Sequence, residues 1–237
     1  MLLALWSPKG GSGTSVLAAS TALVVARGPA GGCRLADLDG DQPAIFGLAG
    51  EPDLGLLDWL AAGPEAPTEA LDRLACEVAP GVAVLPAGGP ASPLAGRPAA
   101  EAGAALAVAL RDGTLPVVAD CGRADEPASR AVAEVADSTV AVVRGCYLTL
   151  RRAVRAPALA ATTGVVLVEE AGRTLSRREV ADVLGVPVLT RVPVREPVFR
   201  AVDAGVLAAR LPEVLARAAA DLVARTGFGP TRRGAAA

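Results

Sequence analysis

Ser7–Ser15 reads S-P-K-G-G-S-G-T-S, directly after the apolar run Leu2–Trp6 and directly before the helix-like run Val16–Ala26. The order is strand, glycine loop, helix. A glycine-rich turn between a buried strand and a helix start lets successive backbone N–H groups converge, where the helix dipole adds positive potential. Such a nest fits phosphate oxygens, so the expected ligand is a nucleoside triphosphate, cradled by Gly10, Gly11, Ser12, Gly13, Thr14 and Ser15.

The ordinary phosphate loop is G-x-x-x-x-G-K-[ST]. Here Lys9 comes early and Thr14 stands where the usual lysine belongs. Lys9 is also the only lysine among 23 basic residues. A chain that uses arginine at every other basic position keeps one compact ammonium, inside the loop, where a planar guanidinium is no substitute.

A lysine ahead of two glycines is the deviant form K-G-G-x-G-K-[ST], and Lys9, Gly10, Gly11, Gly13 and Ser15 match it. In this the sequence resembles the ParA/MinD family of dimerising P-loop ATPases. The resemblance implies ATP and Mg²⁺ as ligands. It gives Lys9 the role of reaching the partner subunit's phosphates in a homodimer, and Ser15 that of holding the metal. Thr14 lacks the charge and the reach of the second lysine, which predicts slow or absent hydrolysis.

After a turn at 28–32, Cys33–Asp39 reads as a second strand ending in D-L-D-G-D-Q-P. Asp37, Asp39 and Asp41 repel one another unless a cation, a backbone nest or water shares their charge. By the resemblance, Asp39 orients the attacking water and Asp37 takes the structural position of a D-x-D pattern. The G-D-Q-P-A-I-F-G-L that follows departs from ParA and MinD sequences alike, leaving a switch role for Asp41 and Gln42 open.

Leu115–Asp120 is an apolar strand that ends in a carboxylate and a glycine turn, the Walker B arrangement for holding Mg²⁺. The metal candidates are therefore Ser15, Asp37 and Asp120, and the catalytic candidates Lys9 and Asp39.

Elsewhere βα alternation predicts strands at Val82–Leu85, Thr139–Val143, Gly164–Val168 and within 185–193. Helices are expected at 68–76 with Thr68 as N-cap, at Ala99–Arg111, Pro127–Val135 and Leu211–Arg225, and at Ser176–Leu184 from its capping box S-R-R-E. The fold class is α/β, a three-layer, doubly wound, mostly parallel sheet. Residues 1–225 form one domain, and the helix breakers of 226–237 predict a disordered tail.

Where the family carries an adenine-recognising Asn, this chain has Val168, Glu169 and Glu170. The late pattern of strand, proline, short helix and glycine resembles the MinD and TadZ/CpaE branches, the latter most closely. That implies a switch that positions a cellular structure through a protein partner of a localisation or secretion system. A degenerate docking scaffold and a DNA-binding partition ATPase remain as alternatives, the last needing a patch from Arg173, Arg177, Arg178, Arg191, Arg195 and Arg200.

Composition narrows these classes. A net charge of −2 gives no bulk attraction to nucleic acid or to an anionic membrane. Cys33, Cys76, Cys121 and Cys146 are too scattered for a zinc or disulfide framework and read as small buried residues. The start M-L-L-A-L-W has no signal-peptide form, and no run is long enough for a membrane anchor, so a cytoplasmic location is expected.

Overall fold

A computed structural model describes residues 1–89 and 96–229. Leu2–Trp6 forms β1, every residue of it buried. Strand alternation sends Leu2, Ala4 and Trp6 to one face of the sheet and Leu3 and Leu5 to the other. A strand apolar on both sides needs cover on both sides, which is the origin of the layered architecture.

The first half of the chain follows as α1 (Thr14–Ala26), β2 (Cys33–Asp37), α2 (Gln42–Ile45), α3 (Leu56–Ala61), α4 (Glu69–Leu74), β3 (Cys76–Ala79), β4 (Val82–Leu85) and α5 (Gly96–Asp112). Then come β5 (Val117–Asp120), α6 (Pro127–Val135), β6 (Ser138–Arg144), α7 (Tyr147–Ala153), β7 (Gly164–Glu169), α8 (Arg177–Leu184), β8 (Val188–Pro193), α9 (Glu196–Asp203) and α10 (Glu213–Thr226). The eight strands form one sheet in the order β3-β4-β2-β5-β1-β6-β7-β8. Only the β3–β4 pair is antiparallel.

One core layer packs α3, α5, α6 and α8 against Leu2, Ala4 and Trp6. The other packs α1, α9 and α10 against Leu3 and Leu5. β1 is central, and the chain winds outward from it in both directions. The crevice at its carboxyl end is therefore the place where such sheets bind ligands.

The expected fold class holds, with local differences. β2 ends at Asp37, because that carboxylate accepts the N–H groups of Asp39 and Gly40 and turns the chain. Thr68 precedes α4, but its side chain makes no capping bond, and Cys76 opens an edge strand rather than closing the helix. The capping box at Ser176 forms as expected, with Glu179 N–H donating to Ser176 Oγ at 3.2 Å and Ser176 N–H to Glu179 Oε2 at 2.7 Å.

At the far end, α10 runs through Thr226, Gly227 caps it, and Phe228 is buried in the core, so packed chain extends past Arg225. The remainder of the expected tail, 230–237, lies outside the described residues, as do residues 90–95. Cys33 and Cys121 are buried as expected, whereas Cys76 and Cys146 are only half-buried.

Gly103 tests how closely α5 and α6 approach. A Cβ placed there would lie 2.6 Å from Ala128 Cα, and closer still to its carbonyl. Alanine in a helix interior ordinarily gains roughly 1 kcal/mol over glycine. We expect Gly103→Ala instead to destabilise the protein by about 1–3 kcal/mol, read as a lowered urea midpoint, because the helices must separate. A raised midpoint would show that the contact yields freely.

Candidate functional site

The glycine loop joins β1 to α1, and its backbone is pinned from within. Ser7 Oγ donates to the Lys9 carbonyl at 3.0 Å and Ser12 Oγ to the same oxygen at 2.7 Å. Ser7 N–H donates to the Gly122 carbonyl at 2.7 Å, fastening the loop's base to the turn after β5. Gly11 and Gly13 lie at φ 72° and 86°, a left-handed conformation that favours glycine. Gly13 is the N-cap of α1, and no side chain caps that helix.

Cβ atoms added at Gly10, Gly11 or Gly13 would meet open space. Beside them Thr14 is 5 % exposed, and its hydroxyl has no hydrogen-bond partner. An open cradle, an uncapped helix start and an unpartnered buried hydroxyl together form a site built for an acceptor-rich anion.

Gly10–Ser15 line one wall of a cavity of about 550 Å³. Asp39, Asp41 and Arg123 stand at its phosphate-loop end. The other end is walled by Val142, Val168, Val192, Val198, Phe199 and Leu215, with Arg144 and Arg195 as its cations. Lys9 is not in the lining. It is half-buried, close enough to Cys146 at the start of α7 to help lower that thiol's pKa, which burial raises and Thr149 chiefly lowers.

The carboxylates behind the loop are placed by strand register. Asp37 and Asp120 are direct neighbours on the parallel strands β2 and β5, and both are fully buried. Asp37 Oδ1 accepts from Gly40 N–H at 2.7 Å and Asp39 N–H at 3.2 Å, and Oδ2 accepts from Gln42 N–H at 3.0 Å. The crowded aspartates thus use a backbone nest. No cluster of three or more acidic, Cys or His side chains able to hold a metal occurs among the described residues. With its oxygens so occupied, Asp37 shapes the β2–α2 turn.

Asp120 faces the loop. Its Oδ1 accepts from Gly122 N–H at 3.1 Å and its Oδ2 from Gln42 Nε2 at 2.8 Å. Gln42, fully buried, also donates to the Ser15 carbonyl at 3.1 Å. Ser15 Oγ reaches Asp41 Oδ2 at 3.4 Å and also stabilises the ionised form of Asp120. Ser15 and Asp120 therefore meet, while Asp39 extends over Gly122, where an added Cβ would collide with its carboxylate.

Sequence reasoning missed the bridging role of Gln42. A polar side chain just ahead of the proline in α2 hints at a buried anchor, but its partner is 78 residues away. Most of the candidate arginines have local partners. Arg173, Arg178, Arg191 and Arg200 pair with Glu170, Asp182, Glu169 and Glu196 respectively, and Arg177 donates to the Val188 carbonyl.

Sequence comparison finds no matching family model and no matching curated relative. Structure comparison does find matches. A ParA family ATPase from Chlorobium tepidum superposes with TM-score 0.72 at 19% identity, over 94% of this chain and 98% of that one. The MinD of the Aquifex aeolicus MinC:MinD cell division complex gives 0.73 at 18%, over 98% of both chains. The septum site-determining protein MinD of Pyrococcus horikoshii, complexed with Mg-ADP, gives 0.72 at 18%, over 94% of both. The fold is that of the ParA/MinD P-loop ATPases. No helix among the described residues is long and apolar enough to cross a membrane.

Burial, then the proximity of Asp120, pushes Asp37 up to about 7 against the pull of its three backbone donors. Burial likewise raises Asp120 to about 6, opposed by Ser15, Gln42 and Gly122. Asp39 is raised by burial and by Asp41, with Arg123 opposing. Where the unfolded chain has lost these protons, the folded chain still holds them. Stability of the metal- and nucleotide-free protein therefore falls as pH rises between about 4 and about 7. We expect the unfolding free energy from urea titrations in chelator to rise on acidification from about pH 7.5 to about pH 5.5, by on the order of 2 kcal/mol, with a raised midpoint. A midpoint that drops over this window would mean that the backbone donors prevail.

Proposed function

We propose that this protein is a nucleotide-dependent dimerising switch of the ParA/MinD type, binding Mg²⁺-ATP with weak or absent turnover. The observation that carries the reading is the open glycine cradle with the unpartnered Thr14 hydroxyl beside it and Ser15 and Asp120 behind it. In this reading the N–H groups of the loop and of the α1 N-terminus would hold the phosphates, and Ser15 and Asp120 would hold the metal. Bound Mg²⁺ supplies charge neutralisation at the phosphates. Gln42 fixes the orientation of Asp120, and Asp39 stands free to orient a water molecule.

Lys9 lies outside the cavity wall, which suits a role toward a second copy of the chain rather than toward its own nucleotide. Thr14 offers a hydroxyl but no cation. Phosphoryl transfer depends on positioning and charge, so its rate should suffer by orders of magnitude. The far end of the cavity is walled mainly by apolar side chains, with Val168 where the resemblance puts an adenine-reading Asn, so base selectivity is low.

The system that such a switch positions is, on the resemblance to the TadZ/CpaE branch, a pilus or secretion machinery met in the cytoplasm through a protein partner. The net charge of −2 argues against a DNA-gripping role. Thr14 and the apolar base end also suit a docking scaffold that has lost its nucleotide.

Titration with a fluorescent ATP analogue and Mg²⁺, together with light scattering, separates these readings. Wild type should bind the nucleotide and dimerise with it. Lys9→Ala should bind but fail to dimerise, and Thr14→Lys should bind about tenfold or more tightly, the value of one charge-assisted contact. Absence of binding by wild type at millimolar nucleotide would leave the scaffold reading in possession.

A further inference from the structure

Losing the loop's inner lysine leaves a triphosphate's terminal group short of a cation. The cations on the cavity wall are Arg123, Arg144 and Arg195. Arg144 is tied to Glu170 at 2.6 Å, and Arg173 shares that carboxylate. Arg195 precedes α9, after β8 at the other end of the cavity. Arg123 is placed otherwise.

Arg123 follows Gly122, whose carbonyl holds the loop's base through Ser7 N–H and whose Cα is covered by the Asp39 carboxylate. Its charge acts on Asp39, opposing the rise in that group's pKa. The turn that carries it is closed by Ala124 N–H donating to the Cys121 carbonyl at 2.8 Å. Within that turn Ala124 adopts φ 50°, a left-handed conformation rare for a residue with a Cβ. The backbone is thus committed at the point where the arginine leaves it.

Its side chain is not committed. The ion pair it makes is with Asp125, at 3.2 Å, and both groups are well exposed, at 60% and 63%. Exposed pairs of this kind contribute little, so exchanging Asp125 for a phosphate costs little. A guanidinium also matches phosphate oxygens with two parallel donors.

We propose that Arg123 supplies, from the turn after β5, the cation that Thr14 leaves out, and that it engages the terminal phosphate of a nucleoside triphosphate. This rests on the nucleotide-binding reading above and adds to it a preference for triphosphate over diphosphate. The compensation is in position as well as charge: the cation arrives from the β5 turn beside Asp39 instead of from the first turn of α1.

The test is the ratio of affinities for a non-hydrolysable ATP analogue and ADP, both with Mg²⁺, by isothermal titration. Wild type and Arg123→Lys should favour the triphosphate. In Arg123→Ala the ratio should fall about tenfold or more, with the melting temperature of the free protein unchanged. Adding Thr14→Lys to Arg123→Ala should restore it. A ratio unaltered by Arg123→Ala, or a wild type that binds both nucleotides equally, overturns the inference while nucleotide binding stands. A wild type that binds neither overturns the nucleotide reading and this inference together.

Discussion

Two carboxylates held side by side in the dry interior are the constraint around which the rest is arranged. Parallel register makes Asp37 and Asp120 neighbours at the carboxyl ends of β2 and β5, beside the central strand. Two buried like charges are tolerated only where donors or protons answer them. The answer differs for each. Asp37 is met by backbone N–H groups of its own turn, whereas Asp120 is met by Gly122 N–H and by the amide of Gln42. The same turn therefore satisfies both groups, because Gln42 gives its N–H to one carboxylate and its side chain to the other.

This arrangement joins three segments distant in sequence. Gln42 reaches back to the Ser15 carbonyl, and Ser7 N–H holds the Gly122 carbonyl, so the phosphate loop, the β2–α2 turn and the β5 turn share one hydrogen-bonded frame. A change of charge at the glycine loop is then felt by both turns. In the proposed reading, a ligand held by one segment would bear on the other two through these bonds. The frame is stiff where it is buried. Its exposed members, Asp39, Asp41 and Arg123, are the groups left free to respond.

What the sequence revealed follows the range of the interactions concerned. The loop, the strand ahead of it and the strand ending in Asp120 were legible because glycine spacing and apolar runs are local signals. So was the Ser176 capping box, which closes within one turn of helix. The end of β2 was misjudged by two residues, since the stop comes from Asp37 folding the backbone onto its own carboxylate rather than from a breaker. β3 was missed because four residues, three half-buried and one exposed, pairing with β4 at a sheet edge carry no periodicity of their own. Phe228 reads as a stray residue among glycines, and only the tertiary fold shows that it fills the core beside α10. Gln42 acts through partners far off in the chain, and no short window along the sequence contains it together with Ser15 or Asp120.

The distribution of cations separates two tasks that a phosphate loop ordinarily combines. A lysine in the first turn of the helix both anchors the phosphates and neutralises charge in its own subunit. Here that turn keeps its N–H groups and a hydroxyl, sufficient to orient an anion but not to balance a triphosphate. Lys9 is not part of the cavity lining, so the cradle itself presents no cation there. Charge must come from groups that are not part of the cradle, whether a turn of the same chain or the loop of a second copy. In the proposed reading, a site completed from outside would respond to assembly as much as to nucleotide, which fits a switch that gives up speed.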